Sequence, residues 1–214
     1  MVFASKGPAP SIRVVDTVSD EFELLTRRAR GCRACARMAD CRAVLGAPNG
    51  DLQSRVLFVA EAPGRLGADR TGIPLSGDQS GRNFDELLRM AGLRRSAIFV
   101  TNAVLCNPRD PQGRNAAPTS VEIHNCAPFL RRTIELINPA VVIALGVVAL
   151  RALAIVEPHG VVLKRDVAQP VVWNDRLLIA LYHPSPRARL HRSIARQRDD
   201  FTALRLLLTG VVAS

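Results

Sequence analysis

Two carboxylates, a histidine, an asparagine amide and a set of thiols are the side chains of this sequence whose placement could support chemistry. Glu61 and Asp78 share one long loop, from Glu61 to Gly81, whose glycines free the backbone and whose prolines fix it. A loop of this length between short elements is more often functional than filler. Carboxylates held there could orient a water or pass a proton. His183 opens His183-Pro-Ser-Pro186 directly after an apolar run, and Arg187, Arg189, Arg192, Arg196 and Arg198 follow it. Asn102 closes another apolar run, and its amide offers a donor and an acceptor to the edge of a planar ligand. Cys32-Arg-Ala-Cys35 has the spacing with which two thiolates grip one metal centre. Cys106 and Cys126 could join them only if the fold gathers distant segments. Zinc, a redox dithiol and unligated core thiols all agree with this pattern, and Cys41 reads as a packing residue.

These groups need strand ends to hold them. Val56-Leu-Phe-Val-Ala60 reads as a buried strand leading into Glu61, and open α/β sheets put their chemistry at such ends. Strands are predicted over 55–60, 97–101, 140–145 and 177–181, and helices over 19–30, 82–90, 120–137, 147–154 and 192–208. Residues 161–163 and 171–173 add a short hairpin or edge strand. Asn138-Pro139 ends the long helix, because the residue before a proline avoids helical geometry. Strands alternating with helices give the α/β class: a three-layer α/β/α sandwich around a central, mostly parallel four-stranded sheet. Residues 1–18 read as a flexible leader and residues 19–214 as one domain with a substantial core.

Lysine and arginine outnumber the acids 29 to 19, giving a formal charge of +10, which suits a nucleic-acid partner. Arginine supplies most of it and is the better residue for bidentate phosphate contacts. No apolar run approaches the ~20 residues of a membrane span. The first residues lack the apolar core of a signal peptide. The chain therefore reads as cytosolic, without a membrane partner, and its cysteines are not expected to form disulfides.

Several landmarks fall into one order: Glu61-Ala-Pro-Gly64, Arg70-Thr-Gly72, Gly77-Asp-Gln-Ser-Gly81, Thr101-Asn-Ala-Val-Leu-Cys106, Cys126, Ala144-Leu-Gly146 and His183-Pro-Ser-Pro186. With them, from Cys32 to Phe201, the chain resembles the iron–sulfur uracil-DNA glycosylases. Glu-Ala-Pro-Gly is the form typical of the fourth family of that superfamily. The spacing from Ala62 to Gly81 looks like the fifth, so the chain resembles a hybrid of the two.

The resemblance implies a DNA-repair enzyme that excises uracil from double- or single-stranded DNA as a monomer and leaves an abasic site. The alternative on the same fold is a protein that binds damaged or abasic DNA without cleaving it. A base inside a duplex is out of reach, so it must be flipped into a pocket. By resemblance, His183 donates to uracil O2 as negative charge builds there, and Asn102 pairs with the uracil edge and rejects cytosine. Asp78 matches the acidic residue of the fifth family and is expected to orient the water. Glu61 matches the fourth and is expected to serve the pocket or its water network. Ala62, Pro63, Gly64, Ser80, Ser185, Arg187 and Arg189 are expected to contact the substrate, several of them through phosphates. Leu75 stands where the family stacks an aromatic ring on the base. The resemblance also implies a structural 4Fe–4S cluster on Cys32, Cys35, Cys106 and Cys126. One relative traps its product through a histidine in a loop before the last cysteine; no histidine stands before Pro118 here, so covalent capture is not expected. Lys164 is the only lysine of the C-terminal half, and no Schiff-base lyase step is expected.

Overall fold

Apolar runs rich in valine, isoleucine and leucine become the strands, and amphipathic runs become the helices that cover them. The computed structural model describes residues 17–212. The elements are α1 (Thr17–Gly31), β1 (Val56–Ala60), α2 (Ala68–Thr71), α3 (Gln79–Met90), β2 (Phe99–Asn102), α4 (Ser120–Ile137), β3 (Val141–Leu145), α5 (Val147–Val156), α6 (Leu163–Asp166), β4 (Pro170–Trp173), β5 (Arg176–Leu181) and α7 (Ile194–Val212). The leader expected over residues 1–18 lies outside the described residues except for Thr17 and Val18, which already begin α1. Among the described residues no helix is long and apolar enough to cross a membrane.

The strands run in the order β2-β1-β3-β5-β4; the first four are parallel and β4 is antiparallel at the edge. Side chains alternate between the two faces. Leu57, Val59, Val142 and Ala144 pack with residues of α1, α4 and α5, while Phe58, Ala60, Ile143 and Leu145 pack with residues of α3 and α7. Every residue of β1 and β3 is buried, as a parallel sheet covered on both faces requires. The result is the expected three-layer α/β/α sandwich.

The sheet has five strands rather than the expected four. The added strand, β4, turns into β5 through Asn174 and Asp175, both left-handed (φ 48° and 59°), the geometry that matches a tight hairpin to strand twist. Residues 161–163 do not form a strand. The Asp166 carboxylate accepts from the Val162 N–H (2.8 Å), which folds this segment into α6 instead. The last helix starts at Ile194 rather than Arg192, because the Ser193 hydroxyl caps it by accepting from the Arg196 N–H (3.3 Å). In the sheet, β2 lies on one side of β1 and β3 on the other. The carboxyl ends of β1 and β3 therefore form the topological switch point, where open sheets bind their ligands.

Candidate active site

The segments that leave β1, β3 and β5 open onto one cleft of about 660 Å³. The β1 loop lines it with Glu61, Ala62, Pro63, Gly64, Leu75, Asp78 and Ser80, and the segment after β5 with His183, Ser185 and Arg187. Asn102 and Arg189, also expected at the substrate, are not among the lining residues. Asn102 pairs in register with Ala60, next to Glu61; it is 2% exposed and its side-chain amide nitrogen has no partner among the described residues. An unpaired buried donor beside a cleft is costly alone and ready for a ligand acceptor. Sequence reasoning missed Asn107, Asn115, Lys164 and His191, which line the same cleft. The glycine- and proline-rich loop around Asn115 was a usable signal. Lys164 had none, because α6 reaches the cleft only through the fold.

Asp78 does two jobs. It is the N-cap of α3, its Oδ1 accepting from the Gly81 N–H (2.9 Å), which is why the helix begins at Gln79 rather than Arg82. Its Oδ2 lies against the loop backbone: a Cβ on Gly67 would stand 2.5 Å from it, and one on Gly64 3.0 Å. These glycines permit close approach to the carboxylate. His183 Nδ1 accepts from the Ser185 N–H (3.2 Å), so a neutral ring carries its proton on Nε2. Burial pushes the His183 pKa down to about 4, against a smaller opposing pull from Asp78. The ring is thus a neutral donor at neutral pH. Burial raises the Glu61 carboxyl, and the Arg187 guanidinium partly counters it.

Two buried asparagines lock the loops together. Asn83 Nδ2 donates to Pro184 O (2.7 Å), while its Oδ1 accepts from Gln79 (2.9 Å) and Arg189 (3.0 Å), joining α3 to the segment after His183. Asn107 Nδ2 donates to Pro63 O (2.6 Å) and to Asn115 Oδ1 (3.0 Å).

Cys32, Cys35, Cys106 and Cys126 line a second, small cavity together with Ala29, Met38 and Leu105, and Cys41 does not. All five cysteines are free. Burial pushes Cys106 up to about 12 and Cys126 up to about 11, and neighbouring sulfurs add to both shifts. A cationic centre would reverse that repulsion. Arg37 fastens the first two cysteines to the last: its Nε and Nη2 donate to the two Glu122 oxygens of α4 (2.5 and 2.6 Å). Asn125 adds a bond from Nδ2 to Ala34 O (3.2 Å). The Cys41 thiol donates to Asn107 O (3.5 Å), in keeping with packing.

Residues 47–206 match the uracil DNA glycosylase superfamily. The chain belongs to that superfamily. It is 34% identical to the type-4 uracil-DNA glycosylase of Thermotoga maritima, over 79% of this chain and 84% of the relative. Identity to the type-4 enzyme of Archaeoglobus fulgidus is 31%, over 85% and 89%. Identity to the type-5 uracil-DNA glycosylase of Pyrobaculum aerophilum is 35%, over 65% of each chain. Similarity to both types agrees with the mixed motif of the β1 loop. In this member of the glycosylase superfamily four of the five arginines after His183 divide by partner, while Arg196 is exposed. Arg187 lines the cleft, whereas Arg192 pairs with buried Asp200 (2.9 and 2.5 Å) and Arg198 with Glu86 (3.0 and 2.5 Å). Arg189 is held by Asn83. Leu190, between Arg189 and His191, is 83% exposed.

Proposed function

We propose that the cleft receives a uracil nucleotide flipped out of DNA and hydrolyses its N-glycosidic bond, leaving an abasic site. The enzyme is a uracil-DNA glycosylase of DNA repair. The observation that carries the assignment of roles is the neutral His183 ring, with its free Nε2–H at the cleft.

As the bond from C1′ to the ring nitrogen breaks, its electron pair leaves with uracil. His183 Nε2–H donates to uracil O2 and strengthens that bond as the oxygen gains charge, with no proton transfer needed. Asp78 Oδ2 orients a water at C1′ while Oδ1 keeps its cap on α3. Hydroxyl adds to C1′, and the water's remaining proton passes through the carboxylate to the departing uracil. Glu61 completes the water network. Asn102 offers its unpaired N–H to uracil O4, where cytosine would present an amine donor, so cytosine is refused. Leu75 packs on the base. The backbone of Ala62, Pro63 and Gly64, with Ser80, Ser185 and Arg187, holds the flanking phosphates. Exposed Leu190 fills the stack that the base has left. Arg189, exposed between cleft-lining Ala188 and His191 and anchored through one nitrogen to Asn83, contacts a phosphate as well.

The four gathered thiols support a 4Fe–4S cluster on Cys32, Cys35, Cys106 and Cys126. Among the described residues no group of three or more His, Cys, Asp or Glu side chains is set around a metal ion; the support is the cavity that the four thiols share and the match of four thiolates to such a cluster. When bound, the cluster supplies a cross-link between the segment after α1, the residues after β2 and α4. Residues 19–214 act as one domain and as a monomer, and a DNA substrate supports a cytoplasmic site of action.

Single-turnover excision from a uracil oligonucleotide, read as strand breaks after alkali, tests the assignment. The wild type should cleave, and His183→Ala should lose about two to three powers of ten in rate with little change in DNA binding. Binding without alkali-labile product in the wild type would instead mark a non-catalytic binder of damaged DNA.

A further inference from the structure

Leu75 is the residue of the cleft with the least expected backbone. It is a buried leucine at φ 48°, in the left-handed region that non-glycine residues avoid. Its neighbours explain how it stays there. Arg95, in the turn before β2, donates from Nη1 to Pro74 O (2.9 Å) and from Nη2 to Leu75 O. The same guanidinium lies 5.2 Å from the centre of the Phe84 ring and pairs with Asp85 through Nε (2.6 Å). From the other side, α3 presses its first turn onto this peptide: a Cβ on Gly81 would stand 2.7 Å from Leu75 O. Two carbonyls are thus gripped by one planar fork, whose rigid geometry a lysine could not reproduce.

We propose that Arg95, although it does not line the cleft, is a specificity-positioning residue: it fixes the left-handed Leu75 backbone so that the leucine side chain forms the apolar wall against which the base packs. An aromatic ring would stack on a base from many backbone settings. A leucine has no flat face, so its position alone determines how closely it meets the base. The inference rests on the reading of the cleft as a uracil site and deepens it. Arg95 holds the wall, and Leu75 is the wall.

The test is inhibition of excision by free uracil, measured as an inhibition constant alongside kcat and KM. Arg95→Gln should raise the uracil inhibition constant and KM about tenfold, the low end for a lost apolar pocket contact, with kcat changed less than about threefold. Leu75→Ala should do the same. The double variant should be no worse than either single one, because both remove one wall. Asp85→Ala leaves the two carbonyl contacts intact and should leave the constant unchanged. Arg95→Lys, which keeps the cation over Phe84 but loses the fork, serves as the second variant and should shift the constant in the same direction. Unchanged inhibition in folded Arg95→Gln or Arg95→Lys protein, or additive losses in the double variant, would overturn the proposal.

The backbone part is tested without uracil. Arg95→Gln should lower Tm less in a Leu75→Gly background, where glycine adopts φ 48° freely; an equal loss of Tm in both backgrounds also overturns it. If the wild type excises no uracil while this stability coupling holds, the function assignment fails and the Arg95–Leu75 linkage stands.

Discussion

Asp78 illustrates how one side chain can serve structure and chemistry through different oxygens. Oδ1 caps α3 and Oδ2 faces the loop glycines beside the cleft. Asp78→Asn keeps an acceptor for the Gly81 N–H, so thermal stability should fall little. Asp78→Ala should cost about 1 kcal/mol for the lost cap. Both should lose excision activity if the water depends on the carboxylate. Should Asp78→Asn remain active while Glu61→Ala is crippled, the water belongs to Glu61 and the fourth-family half of the motif governs the chemistry. His183 gives a second residue-level expectation. Its pKa lies below the ordinary 6.5, at about 4, because burial disfavours the imidazolium. The unfolded chain therefore takes up that proton first as pH falls. The stability due to this group is complete above about pH 6.5 and is lost progressively towards pH 4. In a proton NMR titration the His183 ring signals should stay constant from pH 8 to pH 5.5. A midpoint near 6.5 would contradict the neutral donor.

At the level of elements, burial was legible wherever the pattern was local. β1 and β3 are continuous apolar runs, and α4 begins at Ser120 and ends before Asn138-Pro139 as its sequence indicates. Thr119 and Glu122 close a reciprocal cap at its start. Boundaries failed where a side chain took a backbone donor out of its default use: Asp78 lengthened α3, Ser193 moved the start of α7 to Ile194, and Asp166 made a helical turn of an expected strand. The candidate site was legible as motifs at strand ends, but not its supports. Asn83, Arg95 and Arg37 act across many residues of sequence, and nothing local marks them. Arg37 yields the prediction at this scale. Its bidentate pair with Glu122 is all side chain, and it joins the Cys32–Cys35 segment to the helix that carries Cys126. Arg37→Ala should leave Glu122 partly buried and uncompensated, and should loosen two of the four proposed ligands from the others. Iron per chain should then fall measurably in Arg37→Ala, fall further in Cys106→Ala, and stay at the wild-type level in Cys41→Ala. Equal iron in all three would remove the ligand set from consideration.

For the whole molecule, the count of 29 lysines and arginines exceeds the basic surface offered to DNA, because some of them are already paired with carboxylates. Of the arginines after His183, Arg192 and Arg198 are engaged with carboxylates and Arg189 with Asn83, whereas Arg187 lines the cleft, as does Lys164 across it from another part of the chain. The logarithm of the affinity for a duplex should fall linearly with the logarithm of salt concentration, with a slope of roughly 0.9 per phosphate contact. Arg187→Ala and Lys164→Ala should each lower the magnitude of that slope by about one contact's worth. Arg192→Ala should leave the slope alone, because its charge is already neutralised by Asp200. It should instead cost about 1–3 kcal/mol of stability, since a carboxylate 5% exposed would lose its partner. Binding isotherms at several salt concentrations, paired with thermal melts of the same three variants, separate the two kinds of arginine. A flattened slope for Arg192→Ala with an unchanged melt would mean that its ion pair with Asp200 opens in favour of a phosphate when DNA binds.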